Sequence, residues 1–276
     1  MKIKNLILGL AVTLTILSCN KDDESTSTEL NEARVSAKID LVTEDVAKIV
    51  EDEYSQQANP GAGKNAGDTT QNLPPCATVE IQLTENNWTR TVTFNNCTLP
   101  NGNVLDGIIE VSGSTNFDTP SYTINYSFID FYHNDVQIEG NRTVIRSLQS
   151  TTTLAAVHPV ANMEFNMIVT FPNGNVYNRT GNRIREMIEG YQTPYIWIDN
   201  TFSITGSWTT TFPAGTQTST ITTALIAKVT CPHIVSGAIE ITRNGNIAVL
   251  DYGDGNCDNQ ADLTFNGNTT TIILGN

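Results

Sequence analysis

From Cys76 onward apolar and polar residues alternate, and an alternation kept up over most of a chain leaves it few folds. Val79, Ile81 and Leu83 alternate with polar neighbours, as do Val92 and Phe94, then Ile109 and Val111. A period of two places every second side chain on one face of a strand. Longer stretches of the same kind cover 122–132, 136–147, 163–171, 175–189, 201–211 and 217–229. Turn signals separate them. Asn173-Gly174 and Asn244-Gly245 are strong hairpin dipeptides because both residue types tolerate positive φ, and Asn101-Gly102 and Asn266-Gly267 are similar. Pro172 suits the exit from a strand. Charged residues make up only 16% of the chain, while Thr, Asn, Gly and Ser abound, which favours exposed β structure over helical bundles. The pattern predicts a mainly β fold of roughly a dozen strands. Stretches this long favour a large antiparallel meander whose sheet curls on itself, barrel- or sandwich-like.

The region before Cys76 reads differently. Residues 29–57 carry a helical pattern: Leu30, Ala33, Ala37, Leu41 and Val42 lead into Val46, Ile49, Val50 and Tyr54. Thr43 is placed to cap a second helix, with Glu44 and Asp45 complementing the dipole of its first turn. The apolar stripe is narrow, so the helical segment is expected to pack on the β domain or on a partner. It is too acidic to lie on a membrane surface. Residues 58–75, rich in Gly, Asn, Thr and Pro, read as a flexible linker.

The amino terminus has three zones. Lys2 and Lys4 are followed by the apolar stretch 6–17 and then by Ser18 and Cys19. The apolar run is shorter than the about 20 residues a membrane span needs, and acidic residues follow at once, so it reads as a signal peptide over 1–18. Leu17-Ser18-Cys19 resembles the lipobox of bacterial lipoproteins, which implies cleavage before Cys19 and acylation of its thiol and new amine. Lys21, Asp22 and Asp23 resemble the Lys-acidic-acidic export signal of Bacteroidota lipoproteins. That likeness implies an outer-membrane, cell-surface location, with 19–28 as a lipidated polar tether. Asp68-Thr69-Thr70 is similar to the O-glycosylation motif of the same group and marks Thr69. Cys231-Pro232, Ser236 to Ile239 and Tyr252 to Asp258 are similar to a pattern in uncharacterised Bacteroidota lipoproteins that brings no activity with it.

Removing Lys2 and Lys4 leaves 13 basic against 29 acidic side chains, a net charge of −16. A surface of that sign repels nucleic acid and anionic headgroups, which excludes nucleic acid as a partner. With Cys19 taken by lipid, Cys76, Cys97, Cys231 and Cys257 remain, and in an oxidising space they allow three pairings. Cys76–Cys97 and Cys231–Cys257 are favoured because each brackets one predicted hairpin. A zinc site would need closely spaced ligand pairs, and no Cys-x-x-Cys occurs. The two cysteine-ended hairpins, 78–97 and 238–257, hint at internal duplication.

Three constellations bear on chemistry. Asp251, Asp254, Asn256 and Asp258 alternate oxygen ligands with glycines, as calcium prefers, but Asn259 and Phe265 stand where an EF-hand loop has Gly and Glu. A stiff turn held by side-chain-to-backbone hydrogen bonds is the alternative. Arg142, Arg146, Arg179, Arg183 and Arg185 supply five of the 13 basic residues, and the last three alternate on one strand face. They could hold a carboxylate or phosphate, or pair across strands with Glu139, Glu186 and Glu189. Tyr191, Tyr195, Trp197 and Trp208 could stack on a sugar ring or simply pack. His133, His158 and His233 stand apart, and no nucleophile elbow, metalloprotease helix or phosphate loop is present, so catalysis is not expected. The reading is a non-catalytic envelope lipoprotein that binds or scaffolds at the outer membrane surface. Glycan capture and lipid or small-ligand carriage are the alternatives, with calcium as the one cofactor weighed and a glycan or an envelope protein as partner.

Overall fold

The computed structural model describes residues 21–58, 73–99, 102–193, 196, 198–213 and 215–274, with side chains from residue 31 onward. It contains one helix, α1 (Lys21–Ala58), and thirteen strands: β1 (Thr78–Leu83), β2 (Asn87–Thr98), β3 (Val104–Ser114), β4 (Ser121–His133), β5 (Val136–Gln149), β6 (His158–Thr170), β7 (Val176–Glu189), β8 (Thr201–Phe212), β9 (Gly215–Lys228), β10 (Ile234–Arg243), β11 (Asn246–Asp254), β12 (Gln260–Phe265) and β13 (Asn268–Ile273). Every strand pairs antiparallel with the next, in the order β1 to β13, and the sheet is not closed, since β1 and β13 are not hydrogen-bonded to each other. The mainly β, antiparallel meander expected from the alternation is what forms.

The alternation sets which side chains face inward. In β6, Met163, Phe165, Met167 and Val169 are buried while Asn162, Glu164, Asn166 and Ile168 are exposed. Paired residues share a face. Tyr126, Arg142, Phe165, Gly181, Trp208 and Ser219 therefore form one interior row across β4 to β9. The hairpins at Asn244-Gly245 and Asn266-Gly267 place both residues at positive φ, which two-residue turns require. Register shifts interrupt β2, β3, β4, β8 and β10. An extra residue on one strand bends it and increases its twist, so these bulges supply curl. Gly107, at φ +96°, sits at one of them, where a Cβ would run into the backbone of Asp130.

The curl closes around α1. Helix positions on nearly every side are buried, among them Glu32, Ser36, Ile39, Asp40, Val42, Glu44, Asp45, Val46, Ile49 and Glu53. Their partners lie on strands from β2 to β10, and only a sheet that wraps around the helix can reach all of those sides. Residues 32–58 span about 40 Å of helix, close to the about 40–45 Å of a twelve- to fourteen-residue strand, so the two lengths match. Helix and sheet contribute to a single hydrophobic cluster. Arg34, Lys38, Leu41, Lys48 and Ser55, spaced by four, three and seven, form the less covered line of the helix.

Two expectations are corrected. The stretch 21–28, expected as a tether, is helical. Thr43 caps nothing: α1 is continuous, and Thr43 Oγ1 donates back to the Ile39 carbonyl at 2.8 Å, the bond an interior helical threonine makes. Cys76 pairs with Cys97 and Cys231 with Cys257, at Cα separations of 5.5 and 5.6 Å, each clamping one hairpin. Residues 1–20 and 59–72, which include the expected signal peptide, Cys19, most of the expected linker and Thr69, lie outside the described residues. Lys21, Asp22 and Asp23 are placed by backbone alone.

Candidate functional site

Strand β7 turns Tyr177, Arg179, Gly181, Arg183, Arg185 and Met187 toward the helix. Arg179 is fully used: Nη1 donates to Asp40 Oδ1 at 2.6 Å, Nη2 to Ser36 Oγ at 2.7 Å and Nε to Thr210 Oγ1 at 3.0 Å. Arg183 Nη2 donates to the same Asp40 oxygen at 2.5 Å and Nη1 to Glu44 Oε1 at 3.3 Å. Arg185 lies 3.5 Å from Glu44 Oε2 and 3.9 Å from Glu51 Oε2. Arg146 on β5 donates to Glu51 at 3.2 Å, and Arg90 on β2 to Glu53 at 2.5 Å. Arg243 on β10 pairs with Glu32. Asp45 accepts from Asn103 at 2.8 Å and meets His133 Nε2 at 2.9 Å.

The arginine row does hold carboxylates, and they belong to the chain's own helix. The cross-strand alternative is corrected as well: Glu186 points away from the row, accepting from Thr151 at 2.5 Å and Thr153 at 3.3 Å and meeting His158 Nε2 at 3.1 Å, and Glu189 accepts from Thr201. The geometric reason is a spacing match. One helical turn from Asp40 to Glu44 rises about 6 Å, and two strand residues from Arg183 to Arg185 advance about 6.7 Å. Acids at 40, 44 and 51 share a helix face, and that is the signal by which sequence reasoning could have found them.

Aromatic rings floor this ionic layer. Trp208 lies under Arg183 and Arg179, whose guanidinium carbons are 4.3 and 5.2 Å from its ring centre. Arg185 lies over Phe202, and Arg146 over Tyr54. Gly181, directly across from Trp208, leaves the space: a Cβ there would come 2.5 Å from Trp208 Cβ. Arg142 is 1% exposed and has no carboxylate partner among the described residues. It donates to Tyr126 OH at 3.2 Å and Met167 Sδ at 3.3 Å and lies over the rings of Tyr126 and Phe128. Ring faces thus replace a counter-ion there.

Burial and charge compete throughout the layer. Burial pushes Arg179 down to about 10 against the pull of Asp40, which leaves it cationic at neutral pH. For Arg183 burial acts in the same downward direction, but Asp40 and Glu44 together outweigh it and its pKa rises. Burial pushes the Glu53 carboxyl up to about 7, although Arg90 draws it down.

The remaining expected site residues fall elsewhere. Trp208 is 2% exposed, so its ring is closed to a sugar. Tyr191 is half-buried with its ring 6.2 Å from that of His158, and Tyr195 and Trp197 lie outside the described residues. Asp251, Asp254, Asn256 and Asp258 are all exposed at the end of β11. Their oxygens close local turns: Asp251 accepts from Gly253 N, Asp258 from Gln260 N, and Asn256 donates to Asp254. Among the described residues no group of three or more His, Cys, Asp or Glu gathers to hold a metal ion. Trp208 thus belongs to the arginine layer, and the acidic turn at the end of β11 is a separate place. No protein-family model, no curated protein and no solved structure matches the chain.

Proposed function

We propose that the chain is a non-catalytic lipoprotein of the cell envelope, tethered through Cys19, which binds or scaffolds at the outer membrane surface. The observation that carries this reading is the occupied interior. A small-ligand site is a cleft of about 300–1,000 Å³, whereas among the described residues two cavities that lie against α1 measure about 20 Å³ each. Carriage of a lipid inside the sheet therefore has no support, and recognition falls to the outside. The meander adds a direction. Glu32 meets Arg243 beside the 244–245 turn, so the amino-terminal part of α1 leaves at that end. Hairpin connections alternate between ends, which puts the long connections 150–157 and 190–200 at the other end. Leu148, Val157 and Ile198 there are 63%, 61% and 67% exposed. An anchor at one end and apolar loops at the other suit a protein that presents a surface to a partner.

Glycan capture is the second reading. It has moved from the aromatic residues to an open groove of about 360 Å³ on the outer face, lined by Asn141, Thr143, Glu164, Asn166 and Asn182. These amides, hydroxyl and carboxylate can donate to and accept from sugar hydroxyls.

Mass spectrometry of the native protein, combined with protease shaving of intact cells, tests the first reading. It expects Cys19 as the leading, acylated residue and loss of the β domain on shaving. Retention of residues 1–18, or a domain untouched on intact cells, contradicts it. Soluble oligosaccharides that bind the wild type but not an Asn141→Ala, Asn166→Ala, Asn182→Ala triple variant would favour the second reading.

A further inference from the structure

The wrap keeps two edges, β1 and β13. Neighbouring strands are antiparallel throughout, so odd-numbered strands all run one way and β1 could meet β13 of its own chain only as a parallel pair. Among the described residues β1 pairs with β2 alone, over 78–83 and without a register shift. Its inward side chains are apolar: Val79, Ile81 and Leu83 lie opposite Val92, Arg90 and Trp88, which are buried. Ile81 is nevertheless 39% and Leu83 64% exposed. Native sheets blunt such an edge with lysine, proline or a bulge, and Thr-Val-Glu-Ile-Gln-Leu carries none of them. We infer that β1 pairs with β1 of a second copy of this chain, antiparallel, about a twofold axis at Ile81.

The order of residues in the strand selects the partner. In an antiparallel pair centred on Ile81, Ile81 stands opposite itself, Val79 opposite Leu83 and Glu80 opposite Gln82. Apolar side chains then meet only apolar ones on the inner face. On the outer face each carboxylate meets an amide that can donate to it. Centring on Glu80 would oppose two carboxylates, and centring on Gln82 would leave Val79 unpaired. The other edge lacks this symmetry. The inward residues of β13 are Asn268, Thr270 and Ile272, so pairing centred on Thr270 opposes Asn268 to Ile272. A contact of β1 with β13 of another copy would set apolar side chains against Asn268 and Thr270, and would repeat head to tail without closing. Pairing of β1 with itself closes at two copies, joins the two sheets into one and covers Ile81 and Leu83 with their own counterparts.

Sedimentation equilibrium of the intact protein tests this, with the exposed, outward-facing Gln82 as the probe. The wild type should approach a dimer as concentration rises and stop there. Gln82→Lys sets an ammonium opposite Glu80 at two places and should tighten the dimer. Gln82→Glu sets carboxylate against carboxylate at the same two places and should weaken it. Each shift should be about two- to thirtyfold in the dissociation constant. Thr218→Lys, the same charge added on exposed β9, should leave the constant unchanged. Ile81→Lys, which opposes two ammonium groups at the axis, should give a monomer; if that variant fails to fold, the Gln82 pair decides. A wild type that is monomeric at every concentration overturns the inference. So does a dimer that the two Gln82 variants shift alike or not at all, or that Thr218→Lys tightens as much as Gln82→Lys does. A ladder of larger species overturns it too, because that is the signature of β1 on β13.

Discussion

Asp40 places one oxygen under two guanidiniums while being itself 1% exposed. Breaking a buried ion pair from one side leaves the other charge without compensation. Asp40→Ala should therefore cost about 3–5 kcal/mol in urea unfolding with an unchanged slope. A loss below about 1 kcal/mol would show that the arginines find other partners. Glu53 is expected to leave a pH signature. Its folded carboxyl holds a proton to about 7 against 4.5 ordinarily. The stability it contributes is thus fully present below 4.5 and is lost as pH rises through 7. Relative to Glu53→Gln, the wild type should lose on the order of 1–3 kcal/mol between those limits in melts across a pH series. A difference that grows with pH would mean that Arg90 outweighs burial. Gly181→Ala pushes a methyl into Trp208 and Ser207 and should destabilise by about 1–3 kcal/mol; a neutral result in the same unfolding assay would show that Trp208 moves freely.

At the scale of elements, the strands were legible because period two survives over ten or more residues. The stretches read at 175–189 and 201–211 are β7 and β8 almost residue for residue. The start of β6 was not legible. Pro159 interrupts the pattern, yet it sits at the beginning of the strand opposite Leu148, where a missing donor is tolerated. The helix was recognisable between 29 and 57, but its surroundings were not. A narrow apolar stripe usually means one buried face; here acids on the other faces are buried too, because arginines from the sheet meet them. Nothing local in 179–185 records that its partners lie about 140 residues earlier. The two elements therefore depend on each other. A chain lacking α1 leaves Arg179, Arg183 and Arg90 buried or gathered without carboxylates, and residues 73–276 alone should lose near-UV circular dichroism and bind an apolar dye. A folded, cooperative sheet without the helix would contradict that dependence.

For the whole molecule, the disulfides, the bulges and the helix act on one core. Cys76–Cys97 and Cys231–Cys257 close segments of 21 and 26 residues near the two ends of the meander. Loops of that length restrict the unfolded chain by about 3 kcal/mol each. Reduction should thus lower the melting temperature by roughly 6–12 °C per bridge, without separate transitions for helix and sheet. The net charge of −14 sits mostly outside, because inside the wrap the acids of α1 are matched by arginines. The central claim is that an acidic helix is the interior of this sheet and not an appendage to it. Native-state hydrogen exchange on the intact protein tests it most directly. Amides of residues 36–54 should exchange only by global unfolding, with the same opening free energy as those of β6 and β7. Exchange of the helix amides within minutes while β6 and β7 remain protected would contradict the account.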